Sequence, residues 1–342
     1  MNLKTTAVVA GCVALAGIGG GAADRFDGYA EFKQPGAVIV DGQEITAGAK
    51  AGFKGCTAID AIALGAGVKV DGKRLANGAV EAQTVECEAW VVSPEEQAMI
   101  TDSNDAEKAW VKMGRLAYSD GQGNSTTIGA LLKDGAEVRR VQAIVARLAP
   151  AYVGAAKFRT YVVDTKEWNA MVMPNGAVFV YKGLLTDLDD QEMAIILGHE
   201  IAHYTHHHSA KGATKGKRNS MIGGAIGAAG EVAGATGAAG GTATQIAASA
   251  GSGLVVTALN SGYGRDMEDQ ADRVGLRYAF RAGYDVNRAP ALWQKFLDKY
   301  GQESALTNFF FSDHSRASTR KKNLQEQIAW NYAGGAKSTA TQ

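Results

Sequence analysis

The stretch from Glu192 to His208, EMAIILGHEIAHYTHHH, decides how this chain must fold. It is a continuous helical pattern without proline, and its apolar residues can seat one face of the helix in a core. Inside it lies the pattern HExxH, formed by His199, Glu200 and His203. Two histidines four positions apart project from the same face of a helix, so two imidazoles can reach one zinc ion. The stretch therefore predicts a buried helix that carries two ligands of a zinc site.

A third zinc ligand is the next requirement, because the five-residue pattern alone also occurs by chance on amphipathic helices. One class of zinc peptidases takes a third histidine six positions after His203, where this chain has Ser209. The alternative is a glutamate from a separate helix, and a helical pattern that ends at Gly283 carries Glu268. The carboxylate of Glu268 would complete three protein ligands and leave the fourth position for water, as a catalytic zinc ion requires.

Two further acidic residues have predicted roles beside these ligands. Glu200 lies next to the ligand face of its helix and can take a proton from a zinc-bound water. Asp272 lies one helical turn after Glu268 on the same face, and it would accept a hydrogen bond from the far ring nitrogen of His199. The alternative for Glu268 and Asp272 is a solvated acidic face, because other charged residues surround them on the same helix.

The composition is that of an ordinary globular protein and excludes binding that depends on overall charge. The 342 residues are enough for two domains, and 46% of them are hydrophobic while 20% are charged. The 35 basic residues equal the 35 acidic residues, so no excess of charge points to nucleic acid or to an anionic membrane surface. We therefore expect no nucleic-acid partner. Glycine is the outlier, with 43 residues.

Residues 1–23 are typical of an export signal. One positive charge precedes an apolar run, and small residues follow this run up to Ala23. We predict cleavage near Ala23; the alternatives are a lipoprotein cleavage box that leaves a lipidated Cys12, and an uncleaved anchor. Cleavage at Ala23 leaves Cys56 and Cys87, and an even pair in an exported chain suggests a disulfide. Two buried free thiols are the alternative.

Residues 24–94 are predicted to form a small β-rich domain with an internal hairpin repeat. Two similar stretches are VIVDGQEITAGA at Val38–Ala49 and VKVDGKRLANGA at Val68–Ala79. Each contains a β-branched run, an Asp-Gly turn and a second short run, which is typical of a hairpin. We expect a small sheet or barrel that serves as a structural or partner-binding module, because the stretch has no catalytic cluster of residues.

Residues 95–333 are predicted to form the second, mainly helical domain. Helical spacing of apolar residues marks Glu137–Leu148, and a Pro-Asn-Gly turn at residues 174–176 separates two β-prone runs. A glycine-rich tract at residues 211–262 is inserted; we expect a mobile loop or a loosely packed helical hairpin, with peripheral membrane contact as the alternative. The tail, residues 334–342, is expected to be disordered. The predicted fold class is α+β.

Three phrases together give the chain a specific resemblance: NAMVMPNGAVFVYKGLL, GHEIAHYTHHHSAK and EDQADRVG, which begin at residues 169, 198 and 268. In this order they resemble the gluzincin family that contains the CaaX prenyl endopeptidases and the HtpX-type bacterial proteases. The chain is most similar to the soluble exported branch, the periplasmic peptidases that degrade misassembled outer-membrane proteins. The resemblance implies a mainly helical, zincin-like core with a small sheet and one zinc ion per chain. The zinc ligands would be His199, His203 and Glu268, and Glu200 would be the catalytic acid and base.

The resemblance also implies a place for the substrate. The strand Ala177–Tyr181 would be an open sheet edge beside the zinc ion, where an extended chain can pair through backbone hydrogen bonds. The substrate-binding residues would then be Asn169, Ala177, Val178, Phe179 and Val180. Asn169 and Gly176 match family positions that shape this hairpin, and ordinary turn chemistry is the alternative.

A last part of the resemblance lies in SDHSRASTR, residues 312–320. Family members have a His-Pro pair followed by an arginine there. This chain has His314 and Arg320, with Ser315 in place of the proline. His314 would stabilise the oxyanion or cap the zinc ion in a resting form, and a surface histidine is the alternative. Arg320 would lie behind the zinc ligands.

The expected function is hydrolysis of unfolded or misassembled cell-envelope proteins by a zinc metalloendopeptidase of the bacterial periplasm. Two rivals remain: a zinc-bearing chaperone or assembly factor that binds extended chains with little turnover, and an adaptor whose peptidase core is vestigial. The three histidines at residues 206–208 are expected to solvate or pack the end of their helix rather than to bind a second metal ion.

Overall fold

The computed structural model describes residues 24–119, 125–213, 263–300 and 317–332. Four predicted features lie outside these ranges: the export signal with Cys12, residues 214–262 of the glycine-rich tract, His314 and the C-terminal tail. The described residues form a β-barrel, followed along the chain by a second sheet that helices cover.

A closed barrel of five strands occupies residues 24–88, with the strand order β1-β2-β3-β5-β4. The strands are β1 (Asp24–Gln34), β2 (Ala37–Val40), β3 (Gln43–Lys54), β4 (Gly67–Arg74) and β5 (Val80–Glu88). Buried valine and isoleucine side chains, including Val38, Ile45 and Val70, form the interior. A disulfide between Cys56 and Cys87 joins the loop after β3 to the end of β5.

The first of the two repeated stretches forms a hairpin at its Asp-Gly pair. Strands β2 and β3 pair in antiparallel fashion, with Val40 opposite Gln43. Asp41 and Gly42 have positive φ angles of 44° and 78°, as a type I′ turn requires. Asp-Gly is a favoured sequence for this turn because both residues tolerate the left-handed backbone region.

The turn predicted at Asp71-Gly72 in the second stretch is wrong. Strand β4 continues through both residues with an irregularity between them, and the chain reverses at residues 75–79 instead. A Cβ atom at Gly72 would lie 2.6 Å from the carbonyl oxygen of Glu81, so glycine is needed here for close contact between strands. An Asp-Gly pair can therefore mark a bulge as well as a turn.

The second sheet has five strands in the order β6-β7-β8-β10-β9. Its strands are β6 (Arg115–Ser119), β7 (Ser125–Leu132), β8 (Arg159–Asp164), β9 (Ala170–Val172) and β10 (Ala177–Tyr181). The helices are α1 (Pro94–Met113), α2 (Ala136–Leu148), α3 (Lys182–Asp187), α4 (Asp190–Thr205), α5 (Arg265–Arg281), α6 (Ala289–Tyr300) and α7 (Ala317–Asn331). This mixture of helices and largely antiparallel sheets confirms the α+β class.

Two hydrophobic clusters lie on opposite faces of this sheet. On one face, helices α2, α4, α5 and α6 pack around Val178 and Val180 of β10. On the other face, Trp110 of α1 packs edge-on against Phe179, with the ring centroids 5.3 Å apart. The larger cluster buries α4, the helix with the HExxH motif. No helix in the described ranges combines the length and the hydropathy needed to cross a bilayer.

The predicted edge strand is wrong, because β10 lies inside the sheet. It pairs in parallel with β8 on one side and in antiparallel with β9 on the other. The residues predicted to bind substrate in β10 therefore have strand neighbours on both sides: Ala177, Val178, Phe179 and Val180. The edge strand is β9, which contacts α4. The continuous apolar run of β10 fits burial of both of its faces, but it does not determine which strands lie along its two edges.

Candidate metal centre

A capping box fixes the start of helix α4. The Asp189 side chain accepts hydrogen bonds from the backbone N–H groups of Gln191 and Glu192, and the Glu192 carboxylate accepts one from the backbone N–H of Asp189. Most of the following residues of α4 are buried. The helix is therefore held in a fixed register in the core, with His199 and His203 on one face.

Two glycines bring α4 and α5 into backbone contact. A Cβ atom at Gly198 would lie 2.6 Å from the carbonyl oxygen of Gly275, and one at Gly275 would lie 2.5 Å from the backbone nitrogen of His199. Sequence reasoning missed this pair, although an isolated glycine inside each of two helical patterns was the available signal. The close crossing places Glu268 of α5 beside the two histidines of α4.

The three predicted ligands converge on one point. The donor atoms of His199, His203 and Glu268 all lie within 4.8 Å of one another, and the three residues are buried. His199 Nε2 is 2.9 Å from His203 Nε2, and each of these nitrogens is 3.5 Å from a carboxylate oxygen of Glu268. A tetrahedral zinc ion with bonds of about 2.0–2.2 Å separates its ligand atoms by about 3.3–3.6 Å. The two histidine–glutamate separations of 3.5 Å fall in this range, and the histidine–histidine separation of 2.9 Å is shorter.

The hydrogen bonding of His199 suits a cation at this point. Asp272 Oδ1 and Arg320 Nη2 each lie 3.0 Å from His199 Nδ1, and the Asp272 carboxylate accepts the proton of that nitrogen. In the neutral ring that binds a metal ion, the opposite nitrogen, Nε2, carries a lone pair directed at the ring of His203. Oε1 of the buried Glu200 has no hydrogen-bond partner among the residues that the structure describes. Imidazole lone pairs that converge beside buried carboxylates form a donor set that fits zinc.

The environment of Glu200 favours proton transfer. Burial raises the pKa of Glu200 to about 7, against the lowering effects of His199 and of the Val172 backbone N–H. A carboxylate whose pKa lies near neutrality can accept a proton from water and release it again at the same pH. Glu200 is therefore a candidate for a general acid and base.

Arg320 and Asp272 form a buried ion pair behind His199. Arg320 Nη2 lies 2.6 Å from Asp272 Oδ1, and its Nε lies 3.0 Å from Oδ2. Burial raises the pKa of Asp272, but the charge of Arg320 and the hydrogen bond from His199 hold the pKa below its usual value. The guanidinium also lies 3.8 Å from the centre of the Trp293 ring. The carboxylate therefore stays ionised and orients the His199 ring.

Asn169 and Gly176 both lie at the β9–β10 hairpin. The backbone carbonyl of Asn169 accepts a hydrogen bond from Tyr181, and its buried side-chain Oδ1 has no hydrogen-bond partner in the described part of the chain. Gly176 has a φ of 87°, and a Cβ atom there would lie 2.7 Å from the carbonyl oxygen of Lys157. The observations at Gly176 are those of ordinary turn chemistry.

The three consecutive histidines after the motif reach three different environments. Of the two expected roles, solvation or packing of the helix end, His208 has the second: it is buried, and its Nδ1 lies 2.8 Å from Nδ1 of His203. The cause is a turn: His207 has a φ of 55°, and the helix resumes at residue 208 with this side chain directed inward. His207 stacks on Trp90 with ring centroids 4.3 Å apart, and His206 is buried.

Comparison with known proteins gives this site a family. Residues 135–328 match the family described as peptidase family M48. The chain is 33% identical over 136 residues to the mitochondrial metalloendopeptidase OMA1 of Bos taurus, which covers 40% of this chain and 25% of that protein. It is 28% identical over 168 residues to the metalloprotease YcaL of Escherichia coli K12, covering 49% of this chain and 61% of the relative. It is also 28% identical over 145 residues to the Beta-barrel assembly-enhancing protease of Escherichia coli O157:H7, covering 42% and 28%.

The chain spans between a quarter and about six tenths of the length of these relatives, and the barrel at residues 24–88 lies outside the family match. The metallopeptidases of this family depend on zinc, and the cluster of His199, His203 and Glu268 is compatible with that ion. The match confirms the predicted metallopeptidase family and its zinc cofactor. Because the matched residues make up more than half of its length, the chain belongs to peptidase family M48.

Proposed function

We propose that this protein is a zinc metalloendopeptidase that hydrolyses peptide bonds in unfolded or misassembled proteins of the cell envelope. The observation that carries the proposal is the convergence of His199, His203 and Glu268, with Glu200 buried in the same motif. Two ligands from one helix and a glutamate from a second helix are the arrangement of a zincin-like core, which we propose for the residues after the barrel.

The chain's own residues have distinct parts in the reaction. The three ligands would hold the zinc ion, which when bound supplies a Lewis acid that lowers the pKa of water and polarises a carbonyl. Glu200 takes the proton of the attacking water, because a pKa of about 7 lets it act as a base at neutral pH, and passes it to the leaving amine. Asp272 holds His199 in one tautomer, and Arg320 keeps that carboxylate ionised.

Strand β9 supports an extended polypeptide as the substrate. Backbone hydrogen bonds at Asn169 and Met173 join the two ends of β9 to β10. In an antiparallel pair such bonds alternate, so the backbone groups of Ala170 and Val172 point away from β10. The N–H of Val172 is close enough to Glu200 to lower its pKa. The three residues of β9 are buried, so pairing requires this edge to become accessible. A chain that pairs with β9 would then pass the base, and backbone pairing does not depend on side-chain identity.

We infer a location in the bacterial periplasm from three features. Residues 1–23 have the pattern of an export signal. The barrel pairs Cys56 with Cys87, and disulfides persist in oxidising compartments such as the periplasm. One relative bears the name Beta-barrel assembly-enhancing protease. We propose an envelope protein that is either released by cleavage at Ala23 or anchored by a lipid on Cys12.

Hydrolysis of casein by the purified full-length protein tests the proposed activity. We expect wild type to cleave casein internally, a zinc chelator to stop cleavage and added zinc to restore it. Glu200→Gln should keep its zinc and lose about 10²- to 10⁴-fold in turnover, the usual contribution of a general acid–base group. If that variant kept more than about a tenth of wild-type turnover, Glu200 would not be the base.

A matched control and a matched substrate sharpen this test. Glu192→Gln changes another buried glutamate of α4, whose carboxylate pairs with Lys295 at 2.7 Å rather than facing the ligands. It should keep turnover. A disulfide-bonded protein should be cleaved faster after reduction and alkylation than in its native form, because pairing with β9 requires an extended chain. Protection of an unfolded client from aggregation without cleavage would instead favour a chaperone.

A further inference from the structure

The ligand His203 is hydrogen-bonded on its outer side to another histidine. Nδ1 of His203 lies 2.8 Å from Nδ1 of His208, and both residues are buried. Two imidazole nitrogens can share a hydrogen bond only if one carries a proton and the other a lone pair. For His203 to bind zinc through Nε2, its Nδ1 must carry the proton, so His208 must present a lone pair.

Gln270 of α5 decides which nitrogen of His208 is protonated. The amide nitrogen of Gln270 lies 3.1 Å from Glu31 Oε1 and 2.5 Å from Asp41 Oδ1, two carboxylates that accept hydrogen bonds. The amide oxygen must then face His208, whose Nε2 is 2.9 Å away. His208 therefore donates through Nε2, and its Nδ1 keeps the lone pair that His203 requires.

Both carboxylates that orient Gln270 belong to the barrel. Glu31 lies in β1, and Asp41 lies in the turn between β2 and β3. Glu31 is 1% exposed and accepts hydrogen bonds from Arg273 Nη2 at 2.8 Å and from the backbone N–H of Gly42 at 3.1 Å. Because these contacts fix the position of Glu31, the barrel fixes the orientation of the Gln270 amide.

We propose that the barrel sets the tautomer of the zinc ligand His203 through Gln270 and His208, two positioning residues that do not themselves bind the metal. The proposal rests on the zinc site proposed above. It adds a part of the chain that the family match leaves out, since Glu31 and Asp41 precede residue 135. Glu31, Gln270 and His208 are all buried, so water cannot replace a lost partner without entering the core.

Loss of the Gln270 amide would release this constraint. Without an acceptor at Nε2, His208 can carry its proton on Nδ1, and His203 must then carry its own proton on Nε2, the zinc-binding nitrogen. Zinc can bind this nitrogen only after the proton moves to Nδ1 of His203, where the proton on Nδ1 of His208 opposes it. Removing the outer hydrogen-bond partners of metal ligands typically weakens metal affinity by about 10- to 100-fold. Gln270 should therefore affect the zinc dissociation constant.

Two substitutions at residue 270 separate this role from a merely structural one, because they act in opposite directions. Gln270→Met fills the same space without an acceptor, and we expect about 10- to 100-fold weaker zinc binding with little change in melting temperature. Gln270→Glu keeps an acceptor for His208 but sets a third carboxylate against Glu31 and Asp41. We expect it to lower the melting temperature and to keep the zinc affinity of wild type.

Zinc affinity is measured on the full-length protein by competition with a chelator, and the melting temperature is measured on the zinc-free protein. His208→Phe and His207→Phe provide a matched pair at neighbouring positions. His207 Nδ1 lies 2.6 Å from Glu96 Oε1, outside the link to zinc. We expect His208→Phe to lose zinc affinity and His207→Phe to keep it. If His208→Phe does not fold, the two Gln270 variants carry the test.

Two results would overturn the proposal: wild-type zinc affinity in folded Gln270→Met, or zinc affinity that simply follows melting temperature across the variants. Either result leaves the peptidase assignment standing if Glu200→Gln keeps its zinc and loses turnover. Wild-type protein that binds no zinc would overturn both the peptidase assignment and the role of the barrel.

Discussion

The two zinc-binding histidines are held in place by different means. Behind His199 stands an ion pair: Asp272 accepts from the ring at 3.0 Å, and Arg320 binds both oxygens of that carboxylate. His203 is hydrogen-bonded to a neutral pair, His208 and Gln270. The nearest carboxylates in this chain of hydrogen bonds are those of Glu31 and Asp41 in the barrel, which contact Gln270. Buried charge on one side and a longer neutral chain on the other perform the same task, which is to fix a tautomer.

This difference implies different responses to mutation. A buried charge that loses its partner is strongly destabilising, so damage on the His199 side should appear as lost stability. A neutral hydrogen bond contributes less to folding, so damage on the His203 side should appear mainly as lost zinc affinity. Mutations behind His199 should therefore change mainly the free energy of unfolding, and mutations behind His203 should change mainly the zinc affinity.

Arg320→Met should have the largest effect on stability. Arg320 is 1% exposed, and its removal leaves the buried Asp272 without its cation. The free energy of unfolding, measured by urea denaturation, should fall by about 3–5 kcal/mol. Arg25→Met is the control, because Arg25 pairs with Asp71 on the surface and should leave the urea midpoint unchanged. A loss below about 1 kcal/mol would show that this ion pair does not hold the His199 side.

Loss of the barrel disulfide should lower the free energy of unfolding slightly less. Of the two zinc-binding histidines, it should affect only the contacts behind His203. Cys56 and Cys87 are 31 residues apart, and closing such a loop stabilises a fold by about 3–4 kcal/mol through the entropy of the unfolded chain. The double variant Cys56→Ser, Cys87→Ser should lose that free energy of unfolding and bind zinc more weakly. Unchanged zinc affinity in a variant with a measurably destabilised barrel would break the link between the barrel and His203.

Gly275→Ala should damage both sides at once, with a moderate loss of stability. The new methyl group would lie 2.5 Å from the backbone nitrogen of His199, so α4 and α5 must separate. Overpacking of this kind costs about 1–3 kcal/mol, and zinc content after dialysis should fall because Glu268 moves away. Gly52→Ala is the control, since the nearest atom to its methyl group is the Gln83 carbonyl oxygen at 4.0 Å. Full zinc content in Gly275→Ala would refute this account of the crossing.

A dependence of stability on pH is expected at the junction between the barrel and α4. Burial lowers the pKa of Lys211 to about 7, although carboxylates that include Asp41 and Glu31 raise it. Its Nζ lies 3.1 Å from the centre of the Tyr29 ring. The unfolded chain has the usual pKa of 10.5, so between about pH 7 and pH 10 it binds more protons than the folded chain and stability rises with pH.

The comparison that checks this dependence is between wild type and Lys211→Met. The melting temperature of wild type should rise relative to that of the variant from about pH 7 to about pH 9, because only wild type has the buried amine. A difference in melting temperature that stays constant or falls over this range would mean that the amine keeps its proton in the folded protein.

Local spacing was enough to find the side chains of the metal site. Helical periodicity alone puts His199 and His203 on one face, and it puts Glu268 and Asp272 on one face of another helix. The resemblance supplied Arg320, which the structure pairs with Asp272. These relations depend on a few residues of one helix or on a family pattern, and neither requires knowledge of the packing.

The features that the sequence did not reveal depend on contacts between distant residues. The position of β10 inside the sheet follows from its pairing with β8, which its own apolar run cannot specify. Gly72 lies against the backbone of Glu81 in the neighbouring strand and does not form a turn. His208 reaches His203 because the helix is interrupted at His207, and its acceptor comes from α5. In each case the decisive partner is chosen by tertiary structure.

The contact between Gly198 and Gly275 fixes the distance between α4 and α5 by main-chain atoms alone. Apolar side chains around these helices can be exchanged for others of similar volume at a modest loss of stability, and the main-chain contact will keep the same spacing. Substitutions in the surrounding core therefore leave the distance between the zinc ligands of α4 and α5 unchanged. Over evolutionary time the bulk of the molecule can diversify while these two positions remain closed to any residue with a side chain.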